Sequence, residues 1–111
     1  PLFSALSVAN ILVIFGILLQ EGRVALCSGH LALLTPVAEA LQSLLFPLQW
    51  QGMYIPVLPI EMCEVLDAPV PYIIGLDRRY LRENNSKNRP VGVVFVDLDQ
   101  DIVHLGWNSD N

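Results

Sequence analysis

The chain has 111 residues, of which 53% are apolar and 15% charged, and it carries a net charge of −5. Such a length makes one domain or part of one, and the acidic balance excludes general nucleic-acid binding, which needs many phosphate-neutralising cations. Two cysteines, Cys27 and Cys63, are too few for a disulfide scaffold and lack paired metal-ligand spacing, so buried reduced thiols in a cytosolic protein are expected.

The apolar share exceeds the usual range of about 45–50%. It implies a piece of a larger fold, an obligate interface or a membrane segment. Residues 1–60 hold only Glu21, Arg23 and Glu39 as charges; the others follow. Leu2 to Leu19 is the one membrane candidate, close to the span of about 20 apolar residues that a bilayer demands. Ser4, Ser7, Asn10 and Gly16 interrupt it, and no basic residue precedes it as in a signal peptide. A helix covered on all sides by other elements is the favoured reading.

In chain order, Ser7 is placed to cap a helix bearing Ile11, Leu12, Ile14, Phe15, Leu18 and Leu19. Glu21-Gly22 ends it, with the glycine expected as the left-handed cap. Arg23 to Ser28 is short, apolar and partly β-branched, which predicts a buried strand. Leu31 to Phe46 returns to helical spacing. Thr35-Pro36 fits an N-cap and first helical position, with Glu39 near the positive end of the dipole. Met53 to Leu58 predicts a strand, and Ile60 to Leu66 a short helix that needs tertiary support.

Four prolines, Pro56, Pro59, Pro69 and Pro71, punctuate the stretch between Trp50 and Gly75. Proline lacks an amide donor and fixes φ, so it marks where elements end. Tyr72 to Leu76 predicts a further strand. Residues 83–90 are polar and turn-forming, expected as a mobile loop, and 107–111 as a frayed tail. Val91 to Leu98 and Ile102 to Leu105 predict a strand pair joined by a turn at Asp99–Asp101. The fold class expected is α/β, a mixed sheet of about five strands flanked by helices.

Candidate chemistry is sparse. Asp97, Asp99 and Asp101 have the opening spacing of a calcium loop, but the sixth position is Ile102 and the twelfth Asn108, where such loops need glycine and a bidentate acid. A solvated hairpin turn is favoured, and neither metal nor cofactor is expected. His30 follows Ser28-Gly29 at a strand-to-helix join, yet no phosphate-loop lysine follows, so a capping or packing role is favoured. Ser28 lacks the surroundings of a nucleophile elbow. Trp50, Tyr54 and Tyr72 read as core aromatics in preference to pocket linings. Arg78, Arg79, Arg82, Lys87 and Arg89 are five of the six basic residues and form the best interaction feature, suited to an acidic partner patch or acidic lipid headgroups. A solvated loop edge remains the competing reading.

Several runs together resemble the central module of a DENN domain. They are LLTPVAEALQSLLFPLQW at Leu33–Trp50, YIPVLP at Tyr54–Pro59, DAPVPYIIG at Asp67–Gly75 and VFVDLD at Val94–Asp99. The similarity covers residues 7–106. It implies that the chain is a single partial domain, part of a C-terminal lobe, with an upstream longin-like module and a downstream segment beyond it. The N-terminal run is then a packed helix and not a span.

The resemblance also implies guanine nucleotide exchange on a Rab-family GTPase in membrane traffic, in the cytoplasm with peripheral association to endomembranes. A non-catalytic scaffold that binds small GTPases or trafficking partners is the alternative. Exchange needs no reactive side chain, because it works by binding the nucleotide-free GTPase more tightly than the nucleotide-bound one. Of the motif residues, Trp50, Tyr54, Pro56, Pro59, Asp67, Pro69, Pro71 and Gly75 read as mostly architectural. Val70, Asp77, Arg78 and Arg79 are the candidate GTPase contacts, chosen by position and polarity. Charge reversal at Arg78 and Arg79 is expected to slow exchange without unfolding the protein.

Overall fold

A computed structural model describes residues 6–45, 52–84 and 89–104. Helix α1 spans Val8–Leu19 and strand β1 Arg23–Ser28. Helix α2 spans Leu31–Leu44, and strand β2 Met53–Ile55. A 3₁₀ segment at Ile60–Asp67 leads to strand β3, Tyr72–Asp77. A one-turn helix α3, Arg79–Glu83, precedes strands β4, Val93–Asp97, and β5, Ile102–His104. The strands form one sheet in the order β2-β3-β1-β4-β5. The first four are parallel, and β5 is antiparallel to β4. The expected α/β mixed sheet is therefore present.

The period of two in the strands divides the core into two layers. Val24, Leu26, Ile73, Val94 and Val96 face Ile14 and Leu18 of α1 and Leu34, Val37 and Leu41 of α2. Ala25, Cys27, Ile74, Leu76, Val93 and Phe95 face the other way, under Leu66 of the 3₁₀ segment and Tyr80 of α3. Burying both faces explains why β1, β3 and β4 are near-continuous apolar runs without polar alternation. Each fully buried Leu, Ile or Val contributes about 1.5–3 kcal/mol.

Several local expectations change. The Ser7 side chain does cap α1, accepting the Asn10 N–H at 3.2 Å. The left-handed residue after α1 is Glu21, with φ 61°, and not Gly22. Glu21 N–H reaches Leu18 C=O at 3.0 Å and Gly22 N–H reaches Ile17 C=O at 2.8 Å, a Schellman pair. Gly22 is needed for space, since a Cβ there would sit 2.5 Å from Ile17 Cγ2. Helix α1 buries Ile11, Ile14 and Leu18 but exposes Val8, Leu12, Val13 and Leu19, so among the described residues it is not covered on all sides. Among the described residues no helix is long and apolar enough to cross a membrane.

Helix α2 starts five residues earlier than Thr35-Pro36 suggested. His30 is its N-cap residue and Pro36 lies inside the helix. Burial of Leu34, Val37, Ala38 and Leu41 along one stripe outweighs the amide hydrogen bond that Pro36 cannot donate. Glu39 consequently lies beyond the first turn, which contains no acidic residue. Strand β2 is shorter than expected because Pro56 ends it. The short helix is a 3₁₀ segment broken at Met62, whose φ and ψ are −108° and 24°. Of the loop at 83–90, residues 85–88 lie outside the described residues, as do Trp50 and the tail at 107–111.

Candidate interaction site

Three parallel strands end side by side, β3 at Asp77, β1 at Ser28 and β4 at Asp97. The carboxyl ends of such strands are where open α/β sheets place their ligand-binding loops. Here the loops are Gly29-His30, Arg78-Arg79 and Leu98–Asp101. Their backbones are tied to β1: Leu98 N–H donates to Cys27 C=O at 2.9 Å and Arg78 N–H to Ser28 C=O at 3.1 Å.

Asp97 is the last residue of an apolar strand and is 3% exposed. A buried carboxylate is costly unless fully bonded, and this one is. Its Oδ2 accepts Arg78 Nε at 3.0 Å. Its Oδ1 accepts the amides of Asp99 and Gln100 at 3.1 and 3.3 Å. Asp99 is turned back onto β1: Oδ1 accepts the Ser28 hydroxyl at 2.7 Å and Oδ2 the Gly29 amide at 2.8 Å. Burial pushes the Asp99 carboxyl up, but the Gly29 and Ser28 hydrogen bonds and neighbouring His30 outweigh it and hold it below the usual range. Asp101, at φ 56°, accepts Ser7 N–H at 3.0 Å and Asn10 Nδ2 at 2.9 Å. The three aspartates therefore brace three different segments, and their turn is not simply solvated.

Among the groups facing outward here are His30 and Arg79, whose side chains are 82% and 51% exposed. His30 makes no side-chain cap; its Nδ1 lies 3.5 Å from Asp99 Oδ1. Arg79 pairs loosely with Asp77 at 3.7 Å, and Asp77 also accepts the Arg79 amide at 2.9 Å.

The candidate contacts divide. Asp77, Arg78 and Arg79 lie together at this edge, with Arg78 held inward by Asp97. Val70 precedes β3 and is exposed at the opposite end of the sheet. A six-residue strand separates it from Asp77, about 20 Å at 3.3 Å per residue. One small contact patch does not hold both.

The motif residues act as frame. An added Cβ at Gly75 would overlap the Pro56 carbonyl oxygen and crowd Leu34 Cβ at 3.3 Å. Leu58 N–H donates to Gly75 C=O at 2.7 Å, and Met53 N–H to Pro71 C=O at 2.9 Å. Pro59 opens the 3₁₀ segment and Asp67 closes it. Pro69 is exposed in the following link. Tyr54 is half-buried against the helix layer. Tyr72 is fully buried, its hydroxyl donating to Leu66 C=O at 2.7 Å. The basic group does not act as a unit. Arg89 donates to Asn84 C=O at 2.7 Å and stacks over Phe95 at 5.6 Å, while Lys87 lies outside the described residues.

Sequence reasoning left out Ser28, Asp97 and Asp99 as partners. The available signal was a carboxylate closing the run Val93–Asp97, where an apolar strand buried on both faces accepts a charge only with dedicated donors.

The carboxyl edge of the sheet thus holds one buried, fully bonded carboxylate, Asp97, and exposes the side chains of His30 and Arg79. The sequence of residues 1–101 matches the DENN (AEX-3) domain, and the chain belongs to that family. It is 42% identical over 103 residues to a DENN domain-containing protein of Schizosaccharomyces pombe, covering 93% of this chain and 11% of the relative. It is 40% identical over 102 residues to elicitor of plant defense protein 1 of Fusarium odoratissimum, covering 92% and 11%. The protein of that name in Verticillium dahliae is also 40% identical, with 92% and 9% covered. The chain thus spans about a tenth of the length of the curated relatives it matches.

Proposed function

We propose that this chain is part of a guanine nucleotide exchange module acting on a Rab-family GTPase in membrane traffic. The observation that carries the reading is the carboxyl edge of the sheet in a DENN-family chain. Buried Asp97 and the hydrogen-bonded side chain of Asp99 hold the backbone there, and Arg79 and His30 are presented outward on it. An exchange factor needs a rigid surface that fits the nucleotide-free GTPase, and pre-bracing removes the ordering cost of forming one. A thousandfold acceleration of nucleotide release requires about 4 kcal/mol of differential binding. The reading includes the remaining modules of a longer polypeptide, a cytoplasmic location and peripheral association with endomembranes.

The test is GDP release from a panel of Rab GTPases by the intact protein. Accelerated release from one or a few Rabs is expected. Stable capture of a nucleotide-free GTPase without accelerated release would instead establish the scaffold alternative.

A further inference from the structure

We infer that Asp99 is a positioning residue that sets the spacing of His30 and Arg79 at the contact edge; this rests on the GTPase reading above. Asp99 grips the join after β1 through Ser28 at 2.7 Å and Gly29 at 2.8 Å. The Ser28 hydroxyl oxygen in turn accepts the His30 amide at 2.9 Å, which orients the residue that follows the glycine. The Ser28 carbonyl accepts the Arg78 amide at 3.1 Å, linking the join after β1 to the join after β3. Arg78 returns to Asp97 at 3.0 Å, and Asp97 holds the Asp99 amide at 3.1 Å. The circuit Asp99–Ser28–Arg78–Asp97 closes on itself across the ends of three strands. Arg79 directly follows Arg78 and His30 lies two residues after Ser28, and both side chains are exposed. Asp99, with a side chain 19% exposed, serves them from beneath.

Hydrogen exchange and nucleotide release by the intact protein test the inference with the variants Asp99→Asn, Ser28→Ala and the double. Asparagine keeps an acceptor for Ser28 but turns a donor toward the Gly29 amide. In each variant the amides of Gly29 and Arg78 should exchange at least tenfold faster, with Val96 in the centre of β4 unchanged. The double variant should be no worse than the worse single, because the pair acts as one unit. On the sensitive Rab, KM should rise about tenfold with kcat little changed, well below the melting temperature. Acceleration confined to Gly29, additive effects in the double, or an unchanged KM in folded variants would overturn the inference. Should the wild-type protein release GDP from no Rab, the GTPase reading fails. The exchange at Arg78 then still decides whether Asp99 couples the two joins.

Discussion

Ser28 and Asp99 are 71 residues apart in the chain and share a 2.7 Å hydrogen bond at the carboxyl end of the central strand. Beside it, Gly29 donates to the second carboxylate oxygen. Charge-assisted bonds of this kind are about twice as strong as neutral ones. They fasten the β4–β5 turn to the start of α2 in a fold whose sheet is otherwise held by parallel ladders and apolar burial.

Acid should loosen the edge first. The carboxyls of Asp99 and Asp101 are both held below their ordinary value of 3.8: in Asp99 by hydrogen bonds that outweigh burial, in Asp101 by the Ser7 amide and Asn10. A carboxyl depressed in the folded state binds fewer protons there than in the unfolded chain. Its contribution is complete above the unfolded value and is lost as pH falls through the folded one. Urea unfolding at steps from pH 7 to pH 3 should show stability falling as the ordinary carboxylate value is approached. Asp99→Asn should flatten that dependence, and an identical slope in the variant would contradict it.

Arg78 and Arg79 should behave differently on charge reversal, which corrects the expectation that both leave folding intact. Arg78→Glu removes the cation facing buried Asp97 and adds a like charge. A cost of about 3–5 kcal/mol is typical when one partner of a buried pair is lost. Arg79 is half exposed, and Arg79→Glu should stay within about 1 kcal/mol of wild type. Thermal melts separate the two. Only Arg79→Glu then reports cleanly on partner binding, where slower GDP release from the sensitive Rab is expected.

Two glycine positions and one glutamate should move stability in opposite directions. Gly75→Ala drives a methyl into the Pro56 carbonyl and Leu34 and should cost about 3 kcal/mol. Gly22→Ala should also destabilise, because Ile17 fills the space. Glu21→Gly relieves a non-glycine residue in the left-handed region and should stabilise by about 1 kcal/mol. Denaturant midpoints at constant m-value measure all three.

The two cysteines should differ in reactivity. Cys27 is fully buried in β1, and burial, assisted by Asp97, pushes its thiol up to about 12. The thiolate is the nucleophile, so Cys27 should resist alkylation in the folded protein. Cys63 in the 3₁₀ segment is partly exposed and should react first. Mass spectrometry after a maleimide pulse at pH 8 should find one modified site under native conditions and two in urea.

The sequence alone was enough for the five strands, the two long helices, the α/β class and the family, but not for the one-turn helix α3 at Arg79–Glu83. Strands β1, β3 and β4 were legible because β-branched and leucine runs of five or six residues bounded by Gly, Pro or Asp have few alternatives. Pro59 and Pro69 bracketed the 3₁₀ segment for the same reason, but β2 stops at Pro56 and not at Pro59 as expected. Helix α1 and its Ser7 cap were legible from local spacing. Local rules failed where a distant group intervened. Thr35-Pro36 has the residue types of a helix start, yet the stripe Leu34–Leu41 packs on β1 and β3 and carries the helix back to Leu31. Gly22 looks like the cap, yet Ile17 requires the glycine for space and leaves the left-handed turn to Glu21. The site was hidden in the same way. Val70 and Asp77 are only seven positions apart, but a strand sends them to opposite ends of the sheet. Ser28, Arg78, Asp97 and Asp99 are scattered along the chain, and only the parallel register of β3, β1 and β4 brings them together. Periodicity and propensity act over a few residues, so they determine what each segment is. Strand order and register depend on contacts across the whole chain, and those contacts alone decide which side chains share an edge.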